Sequence, residues 1–196
     1  MKWLHALAWI VAVLGLLAFG YVQTAPPAED PFTAYSEALT RLAATKPPAP
    51  GSESEAAALA RLEGFFANIT PENVREHTRH VYAEQAMLSD TLAIVRGRDA
   101  IEAYYRKSAQ GADAIAVEFT DIVRSGDDFY LRWSMRIEHP AFNEGAPMVS
   151  MGMSHMRLDA DGRIALHFDY WDSGAGFFEH VPVASGVLRR IREQLH

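Results

Sequence analysis

Residues 149–172 read VSMGMSHMRLDADGRIALHFDYWD, and this stretch predicts a β-hairpin. Apolar side chains alternate with small or polar ones from Val149 to Met153, which is the period of a strand with one buried face. The run Asp159–Gly162 supplies the residue types of a tight turn, and a second strand is predicted over Arg163–Asp172. Two antiparallel strands are therefore expected here.

The turn also predicts how the two strands pair. A three-residue loop, with a type I turn followed by Gly162 in the left-handed conformation, places Asp159 opposite Arg163. In that register His155 is expected to lie directly across from His167. Because alternate residues share a face, one face of the hairpin would carry six side chains: His155, His167, Asp169, Met151, Met153 and Trp171.

Apolar walls with a few converging titratable groups are typical of a small-molecule pocket. An aspartate that accepts a hydrogen bond from one imidazole nitrogen leaves the other nitrogen to take a substrate proton. The alternative is a polar contact within the sheet that has no catalytic role. The catalytic candidates are His167, Asp169, His155 and Asp90, the last at the end of the first predicted strand.

Large side chains near these groups are the candidates for substrate contact. A tyrosine or tryptophan combines an apolar ring with one polar atom, so it can wall a ligand site, although core packing explains the same pattern. Tyr82 is expected to offer its hydroxyl at the pocket mouth. The full set of substrate-binding candidates is Tyr82, Tyr105, Trp133, Met151, Met153 and Trp171.

The rest of the chain predicts an α+β fold. Helical spacing of apolar residues marks residues 59–69 and 98–110, and Thr70 followed by Pro71 is typical of a helix start. Period-two patterns then follow over residues 115–119 and 129–135. Helices followed by paired strands predict a curved antiparallel sheet with the helices packed on its concave face.

Three regions are expected along the 196 residues. Residues 1–22 carry Lys2 and then an apolar run long enough to cross a bilayer, so they are read as a signal-anchor or a cleaved signal peptide. Either reading places the domain outside the cytoplasm. Residues 23–54 are rich in proline and predict a linker with a short helix, and residues 55–196 form the domain.

Composition excludes some classes of function. A formal net charge of −7 disfavours a nucleic-acid partner, and the absence of cysteine excludes thiolate catalysis and disulfides. Two histidines and a carboxylate could hold iron or zinc, but no HxH or HExxH motif occurs. No metal and no cofactor are therefore expected.

Three stretches resemble the nuclear-transport-factor-2-like superfamily and its SnoaL-like and ketosteroid-isomerase-like domains. They are residues 95–105 (VRGRDAIEAYY), 154–164 (SHMRLDADGRI) and 167–172 (HFDYWD), the last resembling a bacterial branch with a DYWD strand. The resemblance implies a cone-shaped α+β fold with a pocket. The superfamily hosts isomerases, dehydratases, hydrolases and non-catalytic proteins, so it does not imply one reaction. The epoxide-hydrolase pattern of an arginine between two aspartates is available only loosely, as Asp90, Arg132 and Asp169.

Two classes of function remain open at this point. The first is a cofactor-free isomerase, dehydratase or hydrolase that acts on a small hydrophobic molecule by His/Asp acid–base chemistry. The second is a non-catalytic ligand-binding or protein-interaction domain at the membrane surface. A homodimer through the outer face of the sheet is an expectation under either class.

Overall fold

The computed structural model of the chain describes residues 29–181 and 184–195. The predicted signal-anchor or signal peptide, residues 1–22, lies outside these ranges. Within them, no helix combines the length and the apolar character that a membrane span requires.

Six α-helices occur in the described part of the chain: α1 (Pro31–Arg41), α2 (Glu53–Phe66), α3 (Pro71–Val81), α4 (Arg98–Ala109), the single turn α5 (Ser173–Gly176) and α6 (Ala184–Leu195). The predicted start at Thr70 is confirmed, since its hydroxyl accepts a hydrogen bond from the backbone N–H of Asn73 at 3.2 Å. Ser52 caps α2 in the same way, through the N–H of Glu55. Each cap satisfies a backbone donor that the first helical turn leaves unpaired.

The described strands are β1 (Tyr82–Ser89), β2 (Ile94–Arg96), β3 (Ala114–Ser125), β4 (Asp128–Glu138), β5 (Met148–Leu158) and β6 (Ile164–Trp171). They form one curved sheet in the order β2-β1-β6-β5-β4-β3. The predicted α+β class is confirmed. One detail differs from the prediction, because β1 pairs with β6 in parallel while the other neighbours are antiparallel.

The predicted register of the β5–β6 hairpin holds only next to its turn. Gly162 adopts the left-handed conformation with φ of 74°, and Leu158 pairs with Ile164 as expected. Beyond that pair the ladder is irregular, and the pairing shifts by one residue, so that His155 faces Phe168. An extra residue in one strand of a pair is a β-bulge, and a shift of one residue changes every cross-strand partner.

The hydrophobic core lies between the sheet and helices α2, α3 and α4. Leu62, Phe65, Val74 and Ile101 from the helices are buried with Leu131 of the sheet, and each is at most 2% exposed. These helices define the inner face of the sheet, and a cavity opens on this face.

Helix α1 belongs to a second cluster on the outer face of the sheet. Its Ala34 and Ala38 are buried with Leu166 and Phe168 of β6. The predicted linker, residues 23–54, therefore contains a helix that packs with the domain, and the compact unit begins at Pro31 rather than at residue 55. Short side chains at positions 34 and 38 let α1 approach the strand closely, which the proline-rich composition did not indicate.

Candidate functional site

A cavity of about 490 Å³ lies between the inner face of the sheet and helices α2 and α4. This volume is within the range of small-molecule sites, which is ~300–1,000 Å³. Its walls are mostly aromatic and aliphatic, and they include Phe66, Tyr105, Phe119, Trp133, Met135 and Trp171. Such a lining favours an apolar ligand. Of the predicted substrate-binding residues, Tyr105, Trp133 and Trp171 line this cavity.

Asp169 is the carboxylate at the centre of this lining. Its side chain is 13% exposed, and its Oδ1 accepts hydrogen bonds from His167 Nε2 at 2.8 Å and from the Ser154 hydroxyl. Ser154 in turn accepts a hydrogen bond from Trp133 Nε1 at 2.9 Å. These bonds fix the carboxylate through Oδ1, and neither of them involves Oδ2.

His167 also lines the cavity, and both of its ring nitrogens are hydrogen-bonded. Its Nδ1 is 2.7 Å from the Tyr82 hydroxyl, which is 3.0 Å from the Tyr105 hydroxyl. Burial raises the pKa of Tyr82 and of Tyr105 well above the usual value, so both keep their protons at neutral pH. The hydrogen bonds then run in one consistent direction. The Tyr105 hydroxyl donates to the Tyr82 hydroxyl, Tyr82 donates to Nδ1 of His167, and Nε2 of His167 donates to Asp169.

The geometry differs from the prediction that one imidazole nitrogen stays free for a substrate. The second nitrogen of His167 binds the buried Tyr82, so it is not available to a substrate, whereas Asp169 still has an oxygen to offer. Tyr82 itself is 0% exposed and lies behind His167, not at the pocket mouth.

Asp90 also lines the cavity, as predicted, and is held by several bonds. Its Oδ1 accepts from the backbone N–H groups of Leu92 at 3.0 Å and Ala93 at 2.9 Å, and its Oδ2 accepts from the Tyr104 hydroxyl. Trp171 Nε1 donates to the Asp90 carbonyl at 2.8 Å. Burial, with the nearby Asp90 charge, raises the pKa of Tyr104, so its hydroxyl stays protonated and donates to Asp90.

The structure corrects the predicted site at three positions, because the register shift places their side chains on the outer face of the sheet: His155, Met151 and Met153. His155 is 2% exposed and bonds Tyr35 of α1 and Asp128, each at 2.8 Å. Met151 is 78% and Met153 40% exposed. All three therefore lie outside the cavity, and His155 joins α1 to the sheet.

Arg132 is likewise outside the cavity. Its side chain is 67% exposed and pairs with Asp121 at 3.1 Å on the outer face. The arginine between two aspartates that marks epoxide hydrolases is therefore not assembled from Asp90, Arg132 and Asp169. Among the described residues, no group of three or more histidine, aspartate or glutamate side chains is arranged to hold a metal ion.

Two contributors were missed at the sequence level, Ser154 and Tyr104. Gly152 could have indicated the position of Ser154, because the two residues lie on the same face of β5 and Gly152 pairs with the bulky Trp133. A small residue opposite a tryptophan indicates that both point to the same crowded side. Nothing in the local sequence indicated the bond of Tyr104 to Asp90.

Gly152→Ala is expected to destabilise the protein by about 1–3 kcal/mol, because overpacking forces side chains out of their rotamers. A Cβ at this position would lie 2.5 Å from the Trp133 ring and 2.8 Å from Trp171 Cβ, so it would also displace two cavity walls. Urea unfolding followed by circular dichroism measures the change. Gly64→Ala in α2 is the control, since nothing lies within 4 Å of its added Cβ and the helix should gain stability. Equal changes in the free energy of unfolding for the two variants would contradict the packing of Gly152 against Trp133 and Trp171.

Solved structures share this fold. A ketosteroid-isomerase-like protein from Catenulispora acidiphila, solved with trimethylamine, is 14% identical with a TM-score of 0.55, covering 65% of this chain and 95% of that one. An epoxide hydrolase from M. tuberculosis is 16% identical with a TM-score of 0.52, covering 72% and 96%. A putative isomerase from Bacillus subtilis is 20% identical with a TM-score of 0.51, covering 63% and 95%. At these identities the likeness establishes the fold alone.

No curated protein matches the sequence. The family model described as the SnoaL-like domain matches residues 62–167, which is more than half of the chain. This range runs from α2 to His167 in β6, so it takes in most of the cavity walls. The chain belongs to the SnoaL-like domain family.

Proposed function

We propose that this protein is a cofactor-free enzyme that moves a proton on a small apolar molecule bound in the inner cavity. The observation that carries the proposal is the state of Asp169, which is held through Oδ1 inside an apolar cavity while Oδ2 is unused by those bonds. A carboxylate fixed in this way is an acceptor with a defined position, which is what general base catalysis requires.

The proposed step uses the residues as they lie. Asp169 Oδ2 takes a proton from a carbon of the substrate, and the electron pair of that C–H bond moves into the adjoining unsaturated group. The same carboxyl group then returns the proton to a different carbon. His167 and Ser154 keep the carboxyl group oriented throughout, and Tyr82 keeps His167 in place.

Isomerisation fits this arrangement better than hydrolysis or dehydration. One group that takes and returns a proton is sufficient for an isomerase, whereas the other two reactions need a separate acid for the leaving group. The oxygens of Asp90 already accept bonds from two backbone N–H groups and from Tyr104, so Asp90 is bound as an acceptor. The non-catalytic alternative requires only the cavity and leaves the His167–Asp169 contact unused.

The experiment is a deuterium wash-in assay with the full-length chain, because α1 packs on the sheet and should be kept. A panel of apolar cyclic ketones is incubated with protein in D₂O, and NMR follows exchange at the carbon beside the carbonyl. We expect at least one member to exchange faster than in buffer. Val117→Trp should abolish the excess rate by filling the cavity, whereas Val123→Trp, on the same strand but half exposed on the outer face, should not.

Exchange at the buffer rate for the whole panel contradicts the proposed chemistry. An excess rate that survives in Val117→Trp would locate the reaction elsewhere on the protein. Melting curves of both tryptophan variants show whether they remain folded.

We also propose that the domain works outside the cytoplasm, tethered by residues 1–22 or released after their cleavage. Support comes from the sequence alone, namely the apolar run that follows Lys2. Cell fractionation with intact mass measurement separates the two forms. Full-length chain found only in the cytoplasmic fraction would contradict both.

A homodimer through the outer face remains part of the proposal. Val149, Met151, Met153 and Tyr170 are each at least 40% exposed, and Met153 pairs with Tyr170 across the β5–β6 ladder, so they form one apolar strip. Apolar strips of this kind are typical of protein interfaces. Sedimentation should show a dimer that Met151→Glu dissociates, and a monomeric wild-type chain would contradict it.

A further inference from the structure

Neither carboxylate that lines the cavity pairs with an arginine or lysine in the described part of the chain, although His167 bonds Asp169 and His139 also lines the cavity. Two carboxylates, Asp90 and Asp169, line it, and the described lining includes no arginine. Its one lysine, Lys107, is exposed. Carboxylates that are removed from water are costly unless a cation or a set of hydrogen bonds offsets the lost hydration.

Three partly buried carboxylates outside the cavity are each paired with an arginine. Glu55 pairs with Arg124, Asp128 with Arg157, and Asp159 with Arg163. In the case of Asp128, the hydrogen bond from Arg157 lowers the pKa of the carboxyl group below its usual value.

Asp90 receives its described bonds only from neutral groups, which are two backbone N–H groups and the Tyr104 hydroxyl. These bonds fix the position of the carboxylate but do not cancel its charge. Asp90 is therefore a held carboxylate, facing an apolar cavity, with no arginine beside it.

Two aromatic side chains lie beside Asp90 and line the cavity with it. The Tyr104 hydroxyl donates to the carboxylate, and the Trp171 indole N–H donates to the backbone carbonyl of the same residue. A carboxylate held beside two aromatic side chains in an apolar cavity is suited to an ammonium group whose substituents are apolar.

We propose that the substrate class is an apolar ring compound with one protonated amine, and that Asp90 binds the ammonium group. This inference rests on the proposed function and specifies its ligand. The ammonium nitrogen donates to Asp90 beside Tyr104 and Trp171, and the apolar body extends along the cavity toward Asp169. Asp90 is then the residue that selects a cationic substrate, and Asp169 the residue that acts on it.

A matched pair of ligands tests the charge directly. 1-Aminoadamantane is protonated at neutral pH, whereas 1-adamantanol has a similar shape and no charge. Binding of each to the full-length protein is followed by tryptophan fluorescence, since Trp133 and Trp171 line the cavity. Both ligands can donate a hydrogen bond to the Asp90 carboxylate, but only the amine adds an opposite charge, so the amine should bind about tenfold more tightly or better.

Asp90→Asn should reduce this preference to about twofold, because the amide keeps the shape and removes the charge. The affinity for the alcohol should fall much less than the affinity for the amine, and binding of the alcohol also reports that the cavity is intact. Tyr104→Phe, which frees Asp90 of one neutral donor, should keep or increase the preference for the amine.

Equal affinity of the wild-type protein for the two ligands overturns the inference and leaves the apolar cavity in place. A full amine preference in a folded Asp90→Asn variant also overturns it. If neither ligand binds the wild-type protein, the apolar ligand site of the proposed function fails as well. The wild-type comparison decides the matter even if Asp90→Asn does not fold.

Discussion

Asp169→Asn is expected to lower the enzyme-dependent deuterium wash-in rate by about 10²–10⁴-fold, the usual contribution of a general base. The amide keeps the shape of the carboxyl group, and its oxygen can still accept from His167 and Ser154 as Oδ1 does. It cannot accept a proton at neutral pH, so only the chemical step should be lost. NMR exchange rates at saturating ketone measure the loss.

Asp121→Asn is the matched control for this variant. It removes the same charge from the outer face, where Asp121 is 47% exposed and pairs with Arg132. Its wash-in rate should equal that of the wild-type protein. A folded Asp169→Asn variant that retains the wild-type rate would remove Asp169 from the proposed chemistry.

Phe65→Ala is expected to destabilise the domain by about 3–5 kcal/mol, the cost of a large cavity in a packed core. Phe65 is 2% exposed and makes edge-to-face contacts with Phe66 at 5.1 Å, Tyr105 at 5.8 Å and Tyr82 at 6.2 Å between ring centroids. Two of these rings belong to the chain that orients His167, so ligand binding should weaken too. Denaturant unfolding gives the free energy.

Phe32→Ala provides the comparison, because Phe32 is 74% exposed on α1. A surface change of this kind stays within about 0.5 kcal/mol. A loss below about 1 kcal/mol for Phe65→Ala would mean that the helices do not pack on the sheet as described.

Much of the fold was predictable because its signals are local. The cap at Thr70, the left-handed Gly162 and the period-two strands each depend on neighbouring residues, and each is confirmed. The parallel pairing of β1 with β6 was missed, because it joins segments that are about 80 residues apart.

The site was only partly predictable, since it depends on the register of one hairpin. The irregularity between Arg157 and Leu158 shifts the pairing by one residue, which separates His155 from His167 and brings Ser154 opposite Asp169. The alternation along β6 still placed His167 and Asp169 together, because residues two apart share a face in either register. The outcome for each side chain was thus decided by a bulge that the sequence pattern does not mark.

The helix α1 shows a different limit. The sequence predicts a linker with a short helix, and the helix is present, but no pattern indicates that Ala34 and Ala38 bury against β6 or that Tyr35 bonds His155. Burial raises the pKa of Tyr35 to about 12, so its hydroxyl remains a donor at neutral pH. Tertiary packing of this helix outweighs what the surrounding composition indicates.

A crystal structure of the full-length protein with the tightest-binding ketone or amine tests the central claim most directly. The account predicts the ligand inside the inner cavity, with a carbon that exchanges its hydrogen within about 3.5 Å of Asp169 Oδ2, a reactive contact distance. It also predicts that His167 still bridges Tyr82 and Asp169. A ligand bound elsewhere, or an Asp169 side chain turned away from the ligand, would contradict the account.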